Sequence, residues 1–114
     1  MEDLFFVNKN LLAYDKIIIY GSGHTGKNML FKLLQRNIKV ECFADSNPDV
    51  SGSRFMNVPI IHIDELNHSR EEAAIIVCGL YALPVAEELE KRGFKNLFFD
   101  YGNEVNIIHI EREM

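Results

Sequence analysis

The chain has 114 residues, 47% hydrophobic and 25% charged, enough for one globular domain (1–114) and too few for two. Its net charge of −5 argues against nucleic acid as a partner, because binding a phosphate backbone needs a surplus of Lys and Arg on one face. Cys42 and Cys78 lie in apolar runs and read as core packing, with no spacing that suggests zinc or another metal. The acidic start Met1-Glu2-Asp3 and the polar Asn8-Lys9-Asn10 exclude a secretory signal or membrane span, so a cytoplasmic location is expected.

Leu4, Val7, Leu11 and Leu12 fall at helical spacing and predict a short amphipathic helix over residues 3–14. Lys16-Ile17-Ile18-Ile19-Tyr20 is a β-branched run of the kind covered on both faces of a parallel sheet. A glycine turn follows, then a helix over 24–36 patterned by Met29, Leu30, Leu33 and Leu34. Residues 38–44 predict a second strand ending at Asp45, and Ser46-Asn47-Pro48-Asp49 a loop. Val58-Pro59-Ile60-Ile61 predicts a short strand at a sheet edge, since proline cannot donate to a ladder. Ile63–Leu66 opens a brief helix, and Ala73–Cys78 is a buried strand. Leu83, Val85, Ala86 and Leu89 pattern a helix stopped at Gly93, and residues 96–99 form the last strand before a tail from Asp100 to Met114.

Strands alternating with helices predict an α/β domain, a three-layer Rossmann-like fold with a core over about residues 14–100. Its sheet is expected to be mostly parallel and five-stranded, in the order 3-2-1-4-5 with the Pro59 strand third. Ligands of such sheets bind beyond the carboxyl ends of the strands, where the order reverses. Three segments are expected there: the turn Gly21-Ser22-Gly23-His24-Thr25-Gly26, Asp45, and Gly79-Leu80-Tyr81.

The turn fits G-x-G-x-x-G, follows a strand and opens a helix, the context in which that pattern binds a dinucleotide. Gly21 permits the tight turn, Gly23 lets a pyrophosphate approach the backbone, and Gly26 lets the helix sit close to the strand. The first N–H groups of the helix are unpaired and favour an anion. Asp45 stands at about the 20-residue interval expected of a ribose contact; its structural alternative is a cap for the turn Ser46-Asn47-Pro48. His24 suits a phosphate contact or a solvent-facing position, and Lys27 at the helix start opposes the dipole unless an anion is near. The same letters satisfy most of a Walker A pattern, but Asn28 stands where Ser or Thr would hold Mg²⁺.

Ile17–Lys27, Cys42–Pro48, Val58–Ile61, Ile75–Val77 and Gly93–Leu97 follow one another as in a known group of domains. Over residues 14–100 the chain resembles the small Rossmann-like domains at the N-terminus of bacterial nucleotide-sugar dehydratases. It is similar also to those of sialic-acid and amino-sugar acyltransferases, whose turn often holds a histidine like His24. The resemblance implies binding of NAD, NADP or a UDP-sugar through Gly21, Gly23, Gly26 and Asp45, in sugar-nucleotide or surface-polysaccharide metabolism. It does not extend to catalysis. The hexapeptide repeats of the acyltransferases are missing, and none of Tyr14, Tyr20, Tyr81 and Tyr101 has the lysine four residues on that the dehydratases use.

Asp64-Glu65, Glu71-Glu72 and Glu87-Glu88 read as solvated helix faces, and His62, His68 and His109 show no ligand spacing. Leu4–Val7 and Ile107–Ile110 are apolar and outside the predicted sheet. They suit a homodimer surface, and with it the alternative of a non-catalytic dimerisation or regulatory module with an empty nucleotide site.

Overall fold

A computed structural model describes residues 6–7, 9–67, 70–78, 82–100 and 104–107. In chain order the strands are β1 (Phe6–Val7), β2 (Lys16–Tyr20), β3 (Cys42–Asp45), β4 (Arg54–Phe55), β5 (Val58–His62), β6 (Ala73–Val77), β7 (Leu97–Asp100) and β8 (Glu104–Ile107). Helix α1 (His24–Gln35) follows β2 and α2 (Ala82–Lys91) follows β6, with 3₁₀ turns at Lys9–Ala13, Pro48–Val50 and Ile63–Glu65. The result is a mixed α/β architecture around a mostly parallel sheet.

Pleating divides the β-branched runs between two cores. Ile17, Ile19, Ala74 and Ile76 point to one face and pack with Met29, Leu30 and Leu33 of α1. Ile18, Ala73, Ile75 and Val77 point to the other and pack with Ala86 and Leu89 of α2. With a helix on each face, these strands are buried along their length, which is why they read as continuous apolar runs rather than alternating ones.

Both helices stop by the same device. Asn37 (φ 60°) and Gly93 (φ 94°) take the left-handed conformation. The next amide donates back to the helix, Ile38 N–H to Leu33 O and Phe94 N–H to Leu89 O. Buried Phe94 and Leu89 supply the hydrophobic contact that accompanies this motif.

Among the described residues the sheet order is β1-β8-β7-β6-β2-β3-β5-β4, eight strands where the sequence predicted five. The strands named from the sequence are neighbours in the run β5-β3-β2-β6-β7, all parallel. Three short strands extend it. β4 pairs antiparallel with β5, so the Pro59 strand is not the edge; Pro59 faces Arg54 in a two-residue ladder. β8 pairs antiparallel with β7, and β1 pairs parallel with β8. The expected tail is therefore part of the sheet as far as Ile107. Phe6–Val7, expected in a helix, is an edge strand, and only Lys9–Ala13 is helical, as a 3₁₀ turn with Leu11 buried and Leu12 exposed. The predicted strand 38–44 is reduced to Cys42–Asp45; Ile38 and Val40 are buried without belonging to it.

Candidate functional site

The turn after β2 is built by three glycines with different reasons. Gly21 has φ 101°, a conformation L side chains rarely adopt, and its amide donates to Ala44 O at 2.8 Å. Gly26 lies against the turn itself: a methyl group there would overlap the Gly21 carbonyl oxygen and stand 2.8 Å from its carbon. Gly23 is unlike either. Its φ of −78° suits any residue, a methyl group on it would meet nothing within 4 Å, and it is the N-cap of α1 without a side-chain hydrogen bond to the helix. Ser, Thr, Asp or Asn would cap better. Gly23, His24 and Thr25 are exposed, so the uncapped helix start opens to solvent.

Asp45 ends β3 directly beside this turn. Its Oδ2 accepts from the Ser22 amide at 2.9 Å and from Ser22 Oγ at 2.6 Å, and its Oδ1 accepts from the Asn47 amide at 2.9 Å. Partial burial works to raise its pKa, but hydrogen bonds from the Ser22 hydroxyl and the Asn47, Ser22 and Ser46 amides outweigh that and hold it below the ordinary carboxylate value. Oδ2 is thus committed to the turn, and Oδ1 to the loop after β3. Ser22, buried, is fixed by this clamp and presents neither its amide nor its hydroxyl outward. Gly79 lies outside the described residues.

Lys27 does not stand free at the helix start; its ammonium lies 4.9 Å from the centroid of the Phe55 ring. His62, opposite Asp45 in the β3–β5 register, has a role the sequence did not signal. Its Nδ1 accepts from the Asp64 amide at 3.1 Å, so Nε2 carries the proton and donates to Ser46 O at 3.1 Å. The imidazole therefore ties the loop after β3 to the 3₁₀ turn after β5.

A pocket of about 240 Å³ adjoins the turn on the α2 face. Tyr20, the residue before Gly21, and Ser46, the residue after Asp45, bring the strand ends to it. Ile63, Val85 and Leu89 give it apolar walls, and Glu88 and Arg92 of the α2 segment give it charge. Arg92 Nη1 is held by Asp64 Oδ1 at 2.8 Å. Its Nε–H is buried with no hydrogen-bond partner, 3.6 Å from Glu88 Oε1. Asp64 and Glu88 are exposed, as expected of solvated carboxylates, and also form an ion-pair group with Arg92. Among the described residues no group of His, Cys, Asp or Glu is arranged to hold a metal, and no helix is long and apolar enough to cross a membrane.

Fold and site together define a mixed α/β domain with a glycine turn and an acidic residue at the carboxyl edge of a mostly parallel sheet. The C2185-like, N-terminal family matches residues 13–97, most of the chain, and the protein belongs to that family. No curated protein matches the chain.

Proposed function

We propose that the domain is a Rossmann-like nucleotide-binding module whose turn, Gly21 to Gly26, receives the phosphates of NAD, NADP or a UDP-sugar. The observation that carries this is Gly23. The fold requires glycine at 21 and 26, but at the exposed, extended N-cap it only tolerates one, where Ser, Thr, Asp or Asn would serve the helix better. A phosphate at that position supplies the reason, since it accepts from the first helical amides and needs the space a side chain would fill. His24 and Thr25 are the exposed side chains next to it, the carboxylate of Asp45 is the acceptor for a ribose hydroxyl, and Gly79 is the further residue we assign to the site. Cytoplasmic sugar-nucleotide or surface-polysaccharide metabolism is the setting we assign, with catalysis supplied by groups outside this chain.

The test is titration calorimetry with NAD⁺, NADP⁺ and a UDP-sugar. The wild type is expected to bind at least one of them, and Gly23→Val to weaken it at least tenfold while lowering the thermal midpoint by only the ~4 °C that a poorer N-cap costs. Binding by Gly23→Val at wild-type affinity overturns the assignment. So does the absence of any ligand-induced rise in midpoint, because a ligand at ~100 times its Kd adds about 2.7 kcal/mol.

A further inference from the structure

Helix α1 and the residues after it carry charge of one sign. Residues 24–39 hold Lys27, Lys32, Arg36 and Lys39 and no Asp or Glu, in a chain whose net charge is −5. Exposed helices ordinarily gain from opposite charges three or four residues apart, and α1 has no such pair within itself. Apolar side chains gather beside these cations. Phe31 and Leu34 are exposed one turn apart on α1. The Phe31 ring meets the half-buried Phe55 ring of the β4–β5 hairpin edge to face at 5.7 Å, and exposed Met56 follows Phe55 in the hairpin turn. Single exposed apolar residues need no explanation. Here three of the five large apolar side chains exposed among the described residues stand at one place, where α1 passes the hairpin, and such a cluster marks an interaction surface.

Cations border the cluster. Lys27 lies one turn before Phe31, over the Phe55 ring, and Arg54 donates to the Asn57 carbonyl at the hairpin tip at 2.6 Å. Neither has a carboxylate within ion-pair distance among the described residues. Among those residues β4 is also the last strand on this side of the sheet. We propose that this face docks an acidic amphipathic helix of another protein, its apolar residues on Phe31, Leu34 and Met56 and its carboxylates toward Lys27 and Arg54. Charge selects this occupant. A second copy docked by two-fold symmetry would set the face against itself and oppose like charges. An anionic bilayer would meet the whole molecule, whose net charge has the bilayer's own sign. An acidic helix meets this face alone, and its side chains one turn apart match the spacing of Phe31 and Leu34.

The probe is a stapled, fluorescein-labelled helix of about 18 residues, five turns, with Leu along one face and Glu on the others. Its counterpart carries Lys for every Glu. Fluorescence anisotropy is expected to show the acidic helix binding at least tenfold tighter than the basic one, and weakening as salt rises from about 50 to about 500 mM. Leu34→Ser and Gln35→Glu are each expected to weaken it at least threefold. Gln35 is exposed, and Gln35→Glu adds a carboxylate one turn from Phe31 without touching the core, so the test stays open if Leu34→Ser does not fold. Equal binding of the two helices, no binding of the acidic one, or an affinity unchanged in both variants overturns the proposal. So does either rival occupant: phosphatidylglycerol vesicles that bind the wild type but neither variant, or a wild-type dimer in sedimentation velocity that Leu34→Ser dissociates.

Discussion

The three glycines of the turn differ enough that single substitutions should sort by mechanism. Gly26→Ala gains about 1 kcal/mol of helix propensity, but its methyl overlaps the Gly21 carbonyl, a backbone atom that no rotamer change can move. Overpacking in a rigid setting costs about 1–3 kcal/mol and sometimes more. Here the helix start must also back away from β2, loosening Met29, Leu30 and Leu33 in the core. A net loss of about 2–4 kcal/mol is expected. Gly21→Ala has room, its methyl 3.8 Å from Cys78 O, but must hold φ 101°, at a cost of about 1–2 kcal/mol. Gly23→Ser meets neither obstacle and supplies the missing cap, for a gain of a few tenths of a kcal/mol. For a domain of this length 1 kcal/mol is about 4 °C of midpoint. Differential scanning calorimetry of the ligand-free proteins should therefore find Gly26→Ala lowest by about 8–16 °C, Gly21→Ala about 4–8 °C down, and Gly23→Ser level with the wild type or slightly above it. A Gly23→Ser midpoint as low as that of Gly21→Ala would show that Gly23 is needed by the fold, and would remove the reason for placing a ligand there.

Ser22→Ala removes the hydroxyl that donates to Asp45 and is expected to cost about 1–2 kcal/mol at pH 7, toward the lower end because the carboxylate is partly solvated. Since Asp45 is more acidic folded than unfolded, the stability it contributes is full above the unfolded carboxyl pKa, ~4, and is lost as pH falls through the lower folded value. Urea denaturation from pH 6 to pH 2.5 should therefore show the gap between wild type and Ser22→Ala narrowing at the acid end; a gap constant across that range would contradict the clamp. The β4–β5 hairpin turns on Met56 and Asn57, with φ 50° and 66°, where a two-residue turn of this hand favours Asn-Gly. Asn57→Gly should raise stability by about 0.5–1 kcal/mol in thermal melts, and an unchanged or lower midpoint would count against that turn geometry. Tyr14→Phe, which deletes the 3.0 Å hydrogen bond to Asn96 Oδ1, should cost about 1 kcal/mol and leave nucleotide affinity unaltered, as measured by calorimetry and titration side by side.

How far the sequence could be read follows from how local each determinant is. Ile17–Ile19 and Ala73–Val77 announce buried parallel strands because a run apolar at every position has no solvent face to offer. Asn37 ends α1 on a left-handed residue that the pattern of Leu33 and Leu34 alone does not mark, so the boundary is off by one. The edge strands were hidden for another reason. Phe6–Val7 and Arg54–Phe55 are two residues long, below any period, and depend on partners far away or across a tight turn. In the candidate site, the turn and Asp45 were visible through glycine spacing and the interval between them. The pocket was not. Tyr20, Ser46, Ile63, Glu88 and Arg92 come from distant segments and share no spacing, and Glu87-Glu88, read rightly as an exposed pair, gives no sign of the contact between Glu88 and Arg92.

The pairing of β1 with β8 joins the first described strand to the last. On a ribosome, Phe6–Val7 emerges well before its partner Glu104–Ile107, so β1 has no ladder to join until the segments between them have been made. The central parallel strands can collapse meanwhile, but the β7 edge stays open until β8 arrives. An unpaired edge is a template for other chains. A chain cut short before Glu104 would keep that edge bare permanently, and self-association rather than simple unfolding is the failure that its topology prepares.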